Sequence, residues 1–140
     1  MNRAGRQKDQ RGTSTLEFVV VLPTLLFVFF AIMEFSRAWL TVNIVTTATR
    51  EGARMGSVTP PVAGTTDVFD PDPADARITA ILGSANLTPI GTPPWTTCPT
   101  PCVRGSQVQA NVQVTFNTVL AFLPMLLDID INRTTTMRYE

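Results

Sequence analysis

Histidine is absent from the 140 residues of this chain, and cysteine occurs only twice. Without histidine the chain cannot build a histidine-activated nucleophile, and two thiols alone make a poor zinc site. The sequence also lacks an activated serine motif, a glycine loop for phosphate and a cluster of metal ligands. We therefore expect neither an enzyme nor a protein that binds a metal, a cofactor or a small-molecule substrate.

The charges balance to zero, but they are distributed unevenly. Residues 1–12 carry four basic groups and one acid, whereas residues 58–140 carry four basic groups and seven acids. A basic flank before an apolar run is typical of the cytoplasmic side of a membrane. We expect residues 1–12 to be a cytoplasmic leader and the C-terminal part to be exported. The basic residues do not cluster on a folded face, so nucleic acid is not an expected partner.

An apolar run of 16 residues extends from Phe18 to Met33. It is shorter than the ~20 residues of a full membrane span, but apolar residues continue beyond it at spacings of three and four. The pattern predicts one helix over about 16–55, with its first half apolar all round and its second half amphipathic. Pro23 is expected to bend or interrupt this helix, and Gly52 and Gly56 to weaken its far end. Residues 13–56 form the predicted membrane and amphipathic segment.

The remainder, residues 57–140, is expected to be a small exported α+β domain. Asp72 as a capping residue, followed by proline, predicts a short helix over about 73–82 that Gly83 ends. Alternating residues predict antiparallel strands over about 107–117 and 129–139. Two strands alone are only marginally stable, so a third strand or the amphipathic helix must cover them. The apolar connection from Val119 to Leu127 is open to interpretation as core or as a partner-binding patch.

Polar features of the exported part have simple structural interpretations. Cys98 and Cys102, separated by Pro-Thr-Pro, are expected to form a disulfide in an oxidising compartment. The acids between Asp67 and Asp75 do not have the spacing of an EF-hand. A solvated loop with a helix cap explains them better than calcium does.

Glu17 is the residue whose position is most difficult to explain by a purely structural role. A carboxylate inside an apolar helix costs about 2.5–3.5 kcal/mol or more deep in a bilayer, so it usually has a partner. Gly12 precedes it by five positions, after the basic leader. The stretch from Gly12 to Phe18 resembles the processing site of type IV pilin-like proteins.

Two later stretches resemble the signatures of TadE-like proteins, which are minor pilins or pseudopilins of the tight-adherence (Flp) pilus. They are Glu34-Phe35-Ser36-Arg37-Ala38-Trp39 and Thr47-Ala48-Thr49-Arg50-Glu51-Gly52-Ala53-Arg54. The resemblance implies a pilin-like fold and a role in pilus assembly, adhesion or secretion. It also implies a single-pass protein of the bacterial inner membrane, with its N-terminus in the cytoplasm, that can enter a cell-surface pilus.

The resemblance assigns roles to residues near the N-terminus. A prepilin peptidase would cut between Gly12 and Thr13, and the new ammonium of Thr13 would pair with Glu17 of a neighbouring subunit. Phe18 would belong to the same assembly region. The implied partners are the lipid bilayer, the peptidase, other pilin-like subunits and the Tad assembly platform.

Several alternatives stay open at this level. Glu17 could be an ordinary helix-end acid, and Glu34 could pair with Arg37 instead of contacting another subunit. The charged signature residues Arg50, Glu51 and Arg54 suit either a docking surface or a solvated helix end. The whole chain could be an unprocessed bitopic envelope protein whose exported domain binds partners. A secreted protein cut near Ser36–Ala38 is a third possibility, although no good signal-peptidase site follows the apolar run.

Overall fold

A computed structural model describes residues 7–65, 68–118 and 129–140, with side chains from residue 15 onward. The elements in chain order are α1 (Gln7–Val58), α2 (Asp72–Ser84), β1 (Thr96–Thr97), β2 (Gln107–Phe116) and β3 (Ile129–Arg138). The predicted α+β class with a long helix, a short helix and a small antiparallel sheet is confirmed. The predicted connection Val119–Leu127 and Asp67 lie outside the described residues.

The chain divides into two compact units, one ending at Arg37 and the other beginning at Ala38. From Gln7 onward the chain of the first unit is helical, and α1 passes through Pro23 without interruption. Proline removes one backbone hydrogen bond, and the helix tolerates that loss. The second unit contains the rest of α1, together with α2 and the sheet.

The sheet has the order β1-β2-β3, and both pairings are antiparallel. Along β2 the apolar residues predicted to face inward are buried, and the polar residues between them are exposed or half-buried. On β3 the alternation is weaker, because Ile131 is buried whereas Ile129 at the end of the strand is 48% exposed. Arg133 is exposed opposite Val112 on an outer strand of the sheet, as its charge requires.

Both expected covers of the sheet are present. β1 adds a short third strand, and buried residues of α1, α2, β2 and β3 belong to one core cluster. The main members of this cluster are Val45, Ala48, Ala53, Ile78, Leu82, Ala110, Val112, Val114, Phe116 and Ile131. A two-stranded ribbon thus acquires the apolar cover that it needs.

Gly52 and Gly56 do not weaken the end of α1, contrary to the prediction from their helix propensity. The helix continues to Val58, and both glycines are buried. A Cβ at Gly52 would lie 2.5 Å from Cδ1 of Ile78, and one at Gly56 would lie 3.0 Å from Cγ1 of Val108. The glycines therefore let α1 approach α2 and β2 closely, and tertiary packing outweighs their low propensity.

The predicted ends of α2 were also wrong in detail. The N-cap is Pro71, without a side-chain capping bond, and Oδ1 of Asp70 accepts the backbone N–H of Asp72 at 3.1 Å. The helix passes Gly83 and ends at Ser84 with Ala85 as its C-cap, and Asn86 takes the left-handed conformation with φ of 55°. Asparagine tolerates that conformation, so glycine was not needed for the stop.

Polar contacts join the end of α1 to β3. Oγ1 of Thr135 donates to Oγ1 of Thr49 at 3.2 Å, and the Tyr139 hydroxyl donates to the Thr59 carbonyl at 2.8 Å. The backbone N–H of Glu140 donates to the Ser57 carbonyl at 3.0 Å. These bonds connect residues about eighty positions apart in sequence, and they fix α1 across the sheet.

Candidate membrane and assembly segment

The apolar part of α1 is exposed along its whole length. Its large apolar side chains, from Leu16 to Met33, are all exposed, and even the most covered of them, Leu22, is 37% exposed. The part of the chain that the structure describes contains one helix long and apolar enough to cross a membrane, and none of its most apolar window is buried. A core helix of a soluble protein would be mostly buried. The exposure therefore favours lipid as the surroundings of this segment.

Glu17 lies near the start of this exposed surface, next to Phe18, which is 62% exposed. Among the described residues, Glu17 makes no hydrogen bond and no ion pair. Gly12 and Thr13 lie within α1, upstream of the residues whose side chains are described. The structure thus leaves the carboxylate of Glu17 without a partner from the described part of its own chain.

Glu34 is in a different situation, because it is buried and paired. Its carboxylate accepts from Nη1 of Arg37 at 3.0 and 3.3 Å, within one turn of the helix. The side chain of Arg37 is 46% exposed, whereas that of Glu34 is 9% exposed. The predicted pairing of these two residues is confirmed, and Phe35 beside them is 71% exposed.

The second signature stretch, residues 47–54, divides into an inner and an outer face. Ala48, Thr49, Gly52 and Ala53 are buried against α2 and the sheet. The charged residues Arg50, Glu51 and Arg54 lie on the outer face, where Nη2 of Arg54 is 3.2 Å from Oε2 of Glu51. One face of the signature therefore serves the fold, and the other is available to a partner.

A groove of about 250 Å³ lies beside the outer face, between α1 and the C-terminal end of α2. Its lining comprises Asn43, Ile44, Thr47, Ile81, Ser84 and Ala85. The groove is mostly apolar and carries no charge, while the neighbouring turn of α1 carries Arg50 and Arg54. An apolar depression next to exposed charges is a common form of protein contact surface.

Residues 12–54 match the family model described as TadE-like protein. This chain carries a TadE-like segment. The predicted family is confirmed over the residues that suggested it, from Gly12 to Arg54. No curated protein and no solved structure matches the chain. Together with the span-length helix found among the described residues, the match indicates a single-pass membrane protein associated with a Tad pilus.

The TadE-like segment ends inside the folded unit, so the remaining elements lie outside the match. Cys98 and Cys102, in the loop between β1 and β2, form a disulfide with their Cα atoms 5.7 Å apart. That separation is usual for such a bond. The disulfide closes the small loop that contains Pro99 and Pro101.

Asp75 has a structural role that sequence reasoning missed. Its carboxylate oxygens accept the backbone N–H of Thr96 at 3.0 Å and that of Trp95 at 3.1 Å, across twenty residues of sequence. Burial raises the pKa of Asp75, and these backbone hydrogen bonds oppose the increase. Nothing in a single sequence identifies the distant N–H groups that this carboxylate accepts. Asp75 connects α2 to the beginning of β1.

Proposed function

We propose that this protein is a pilin-like subunit, a TadE-like minor pilin or pseudopilin, which is processed between Gly12 and Thr13 and then takes part in Tad pilus assembly. The observation that carries the proposal is Glu17. It is a carboxylate on an exposed apolar helix, inside the family match, and it lacks a partner in the described part of its own chain. A charge in that position is costly in lipid until an opposite charge meets it.

Cleavage would create the missing charge. An α-amino group has a pKa of about 7.7–8, so a new N-terminus at Thr13 is mostly an ammonium at neutral pH. The ammonium of one subunit and Glu17 of another would neutralise each other when the helices have the correct axial stagger. The exposed apolar side chains, Phe18 among them, would then exchange lipid for neighbouring helices.

The folded unit would serve as the exported part. Its oxidised cysteines suit a compartment that permits disulfides, and the basic residues before α1 suit the cytoplasmic side. We assign the outer face with Arg50, Glu51 and Arg54 to contacts with other pilin-like subunits or with the assembly platform. Glu34 and Phe35 would lie at the membrane boundary, where the pair with Arg37 reduces the cost of the buried carboxylate. The presence of a folded unit favours an accessory or tip position over the repeating shaft.

The decisive experiment is the intact mass of the native protein, compared with that of Gly12→Leu. The proposal expects the wild type to begin at Thr13, and Gly12→Leu to retain the leader and to form no pili. Gly5→Leu is the matched control, because it places the same side chain in the leader and should be processed normally. A native protein that keeps residues 1–12 would overturn the processing step and favour the unprocessed bitopic alternative.

A further inference from the structure

A second groove lies on the side of the sheet that faces away from the helices. It has a volume of about 370 Å³, within the usual range of small-ligand sites. Three amide side chains of β2 form its floor: Gln109, Asn111 and Gln113. They share one face because alternate residues of a strand point the same way, about 7 Å apart. Ile90, Pro94 and Trp95, from the preceding loop, supply the apolar part of the lining.

The lining contains no ionisable side chain, so neither an anion nor a cation finds a counter-charge there. Each amide offers both a donor and an acceptor, and Thr97 adds a hydroxyl. The indole nitrogen of Trp95 is buried, so the part of this side chain that lines the groove is carbon. The complementary ligand is neutral, rich in hydroxyl groups, and has a C–H face for the aromatic carbon.

An added peptide strand is a poorer candidate, because both edges of β2 are already occupied beside the groove. β3 pairs with it from Gln107 to Phe116. On the other edge, the N–H of Asn111 donates to the Trp95 carbonyl at 2.9 Å, and the Gln113 carbonyl accepts from Ile90 at 2.7 Å. Only side chains are therefore left to recognise a ligand in the groove. Their amide groups suit a ligand that carries hydroxyl groups.

We propose that the groove of Trp95, Gln109, Asn111 and Gln113 is a binding site for a neutral saccharide. The four residues supply an aromatic carbon surface and a row of amides, which together match the C–H and O–H groups of a sugar. The inference is independent of processing at Gly12 and of pilus assembly. It concerns only the folded unit, and the two proposals fail in different experiments.

The test measures binding of maltotriose, cellotriose and triacetylchitotriose, three neutral trisaccharides, to the full chain in lipid nanodiscs. Maltoside and glucoside detergents must be avoided, because they present sugars themselves. In a Trp39→Phe background, Trp95 is the remaining tryptophan and its fluorescence reports occupancy of the groove. We expect at least one of the three to bind and to change that fluorescence, and Asn111→Ala and Gln113→Ala each to weaken binding about fivefold.

Gln107→Ala is the matched control, because Gln107 is an exposed amide on the same strand and face but outside the groove. It should leave the affinity unchanged. Trigalacturonate, an acidic trisaccharide, should bind more weakly than the best neutral one. Absence of binding by all three neutral probes, equal losses in Gln107→Ala and Asn111→Ala, or tighter binding of the acidic probe would each overturn the assignment.

Discussion

Between Leu16 and Met33, α1 exposes apolar side chains all around its axis, whereas between Val45 and Gly56 it buries one face of mostly small residues. The two segments belong to one helix but to different compact units. The first contains bulky side chains that belong to neither core cluster of the described residues. The second contains Ala48, Gly52 and Ala53, which permit close contact with α2 and the sheet.

The difference shows where each segment obtains its stability. The segment from Val45 to Gly56 finds its apolar partners within its own chain, so its small residues are explained by packing inside the folded unit. The first needs surroundings from outside the chain, which are lipid and, under the proposed function, other subunits. Mutations in the first segment should therefore affect assembly and leave the folded unit intact. Mutations on the inner face of the second segment should instead destabilise the folded unit.

The largest expected effect comes from Glu17→Gln, which removes one partner of the proposed ion pair. Leaving the Thr13 ammonium unpaired in lipid should cost about 3–5 kcal/mol per subunit contact. We expect piliation to be lost while the folded unit unfolds at the same urea concentration as in the wild type. Piliation is measured by electron microscopy and by recovery of the subunit in sheared pili.

Glu17→Asp is the matched control, because it keeps the charge on a shorter side chain. It should retain part of the assembly that Glu17→Gln loses. Normal piliation by Glu17→Gln would return Glu17 to an ordinary helix-end acid. A lower urea midpoint of the folded unit in that variant would contradict the separation of the two segments.

In the folded unit, Asp75→Ala should have the largest effect. It leaves the N–H groups of Trp95 and Thr96 without their acceptor, and each unsatisfied group costs about 1–3 kcal/mol when buried. We expect the free energy of unfolding to fall by about 2–4 kcal/mol in urea titrations of the full chain in micelles. Asp72→Ala, an exposed acid on the same turn, should change it little. Equal losses in both variants would mean that helix-end charge, not the contact with β1, stabilises the fold.

Gly52→Ala tests whether the close approach of α1 to α2 is needed. The new Cβ would overlap the fully buried side chain of Ile78, and the overpacking should outweigh the gain in helix propensity. We expect a net loss of about 1–2 kcal/mol in the free energy of unfolding. Gly83→Ala, in a helical position with open space around it, should instead stabilise by about 0.5–1 kcal/mol. The same sign in both variants would remove the packing role assigned to Gly52.

These residues also show what one sequence can and cannot predict. The long helix, β2, β3 and the inner face of β2 followed from periodicity, which is a local property. The roles of Gly52 and Asp75 did not, because each depends on a group far away in sequence: Ile78 for the glycine, and two N–H groups for the carboxylate. Glu17 was noticed for the opposite reason, since a charge in an apolar run contradicts its local surroundings. A single sequence draws attention to a residue most readily where that residue conflicts with its local surroundings.

The pH dependence of the folded unit provides a smaller test of the same point. Because burial raises the pKa of Asp75 above its usual 3.8, the folded state binds the proton more tightly than the unfolded chain. The stability that protonated Asp75 contributes should therefore be fully present below the unfolded pKa. It should decline as the pH rises toward the folded pKa, and then level off. Asp75→Asn cannot titrate, so the stability difference between wild type and variant should follow this course in urea titrations. A difference that grows with pH would mean that the hydrogen bonds outweigh burial.

The smallest effect on stability is expected on the outer face, where Glu51 and Arg54 form a partly exposed pair at 3.2 Å. Such i,i+3 pairs contribute only about 0.2–0.5 kcal/mol, so Arg54→Gln should hardly change the urea midpoint. If the outer face contacts other subunits, however, the same change should reduce recovery in pili well below that of Arg104→Gln, an exposed arginine outside the family match. Equal recovery of both variants would make the charged outer face a solvated helix end. Reduced recovery would mean that the outer face of the packed segment also depends on contacts with other subunits, as the apolar segment does. Dependence on other subunits would then differ between the two faces of the helix as well as between its two segments.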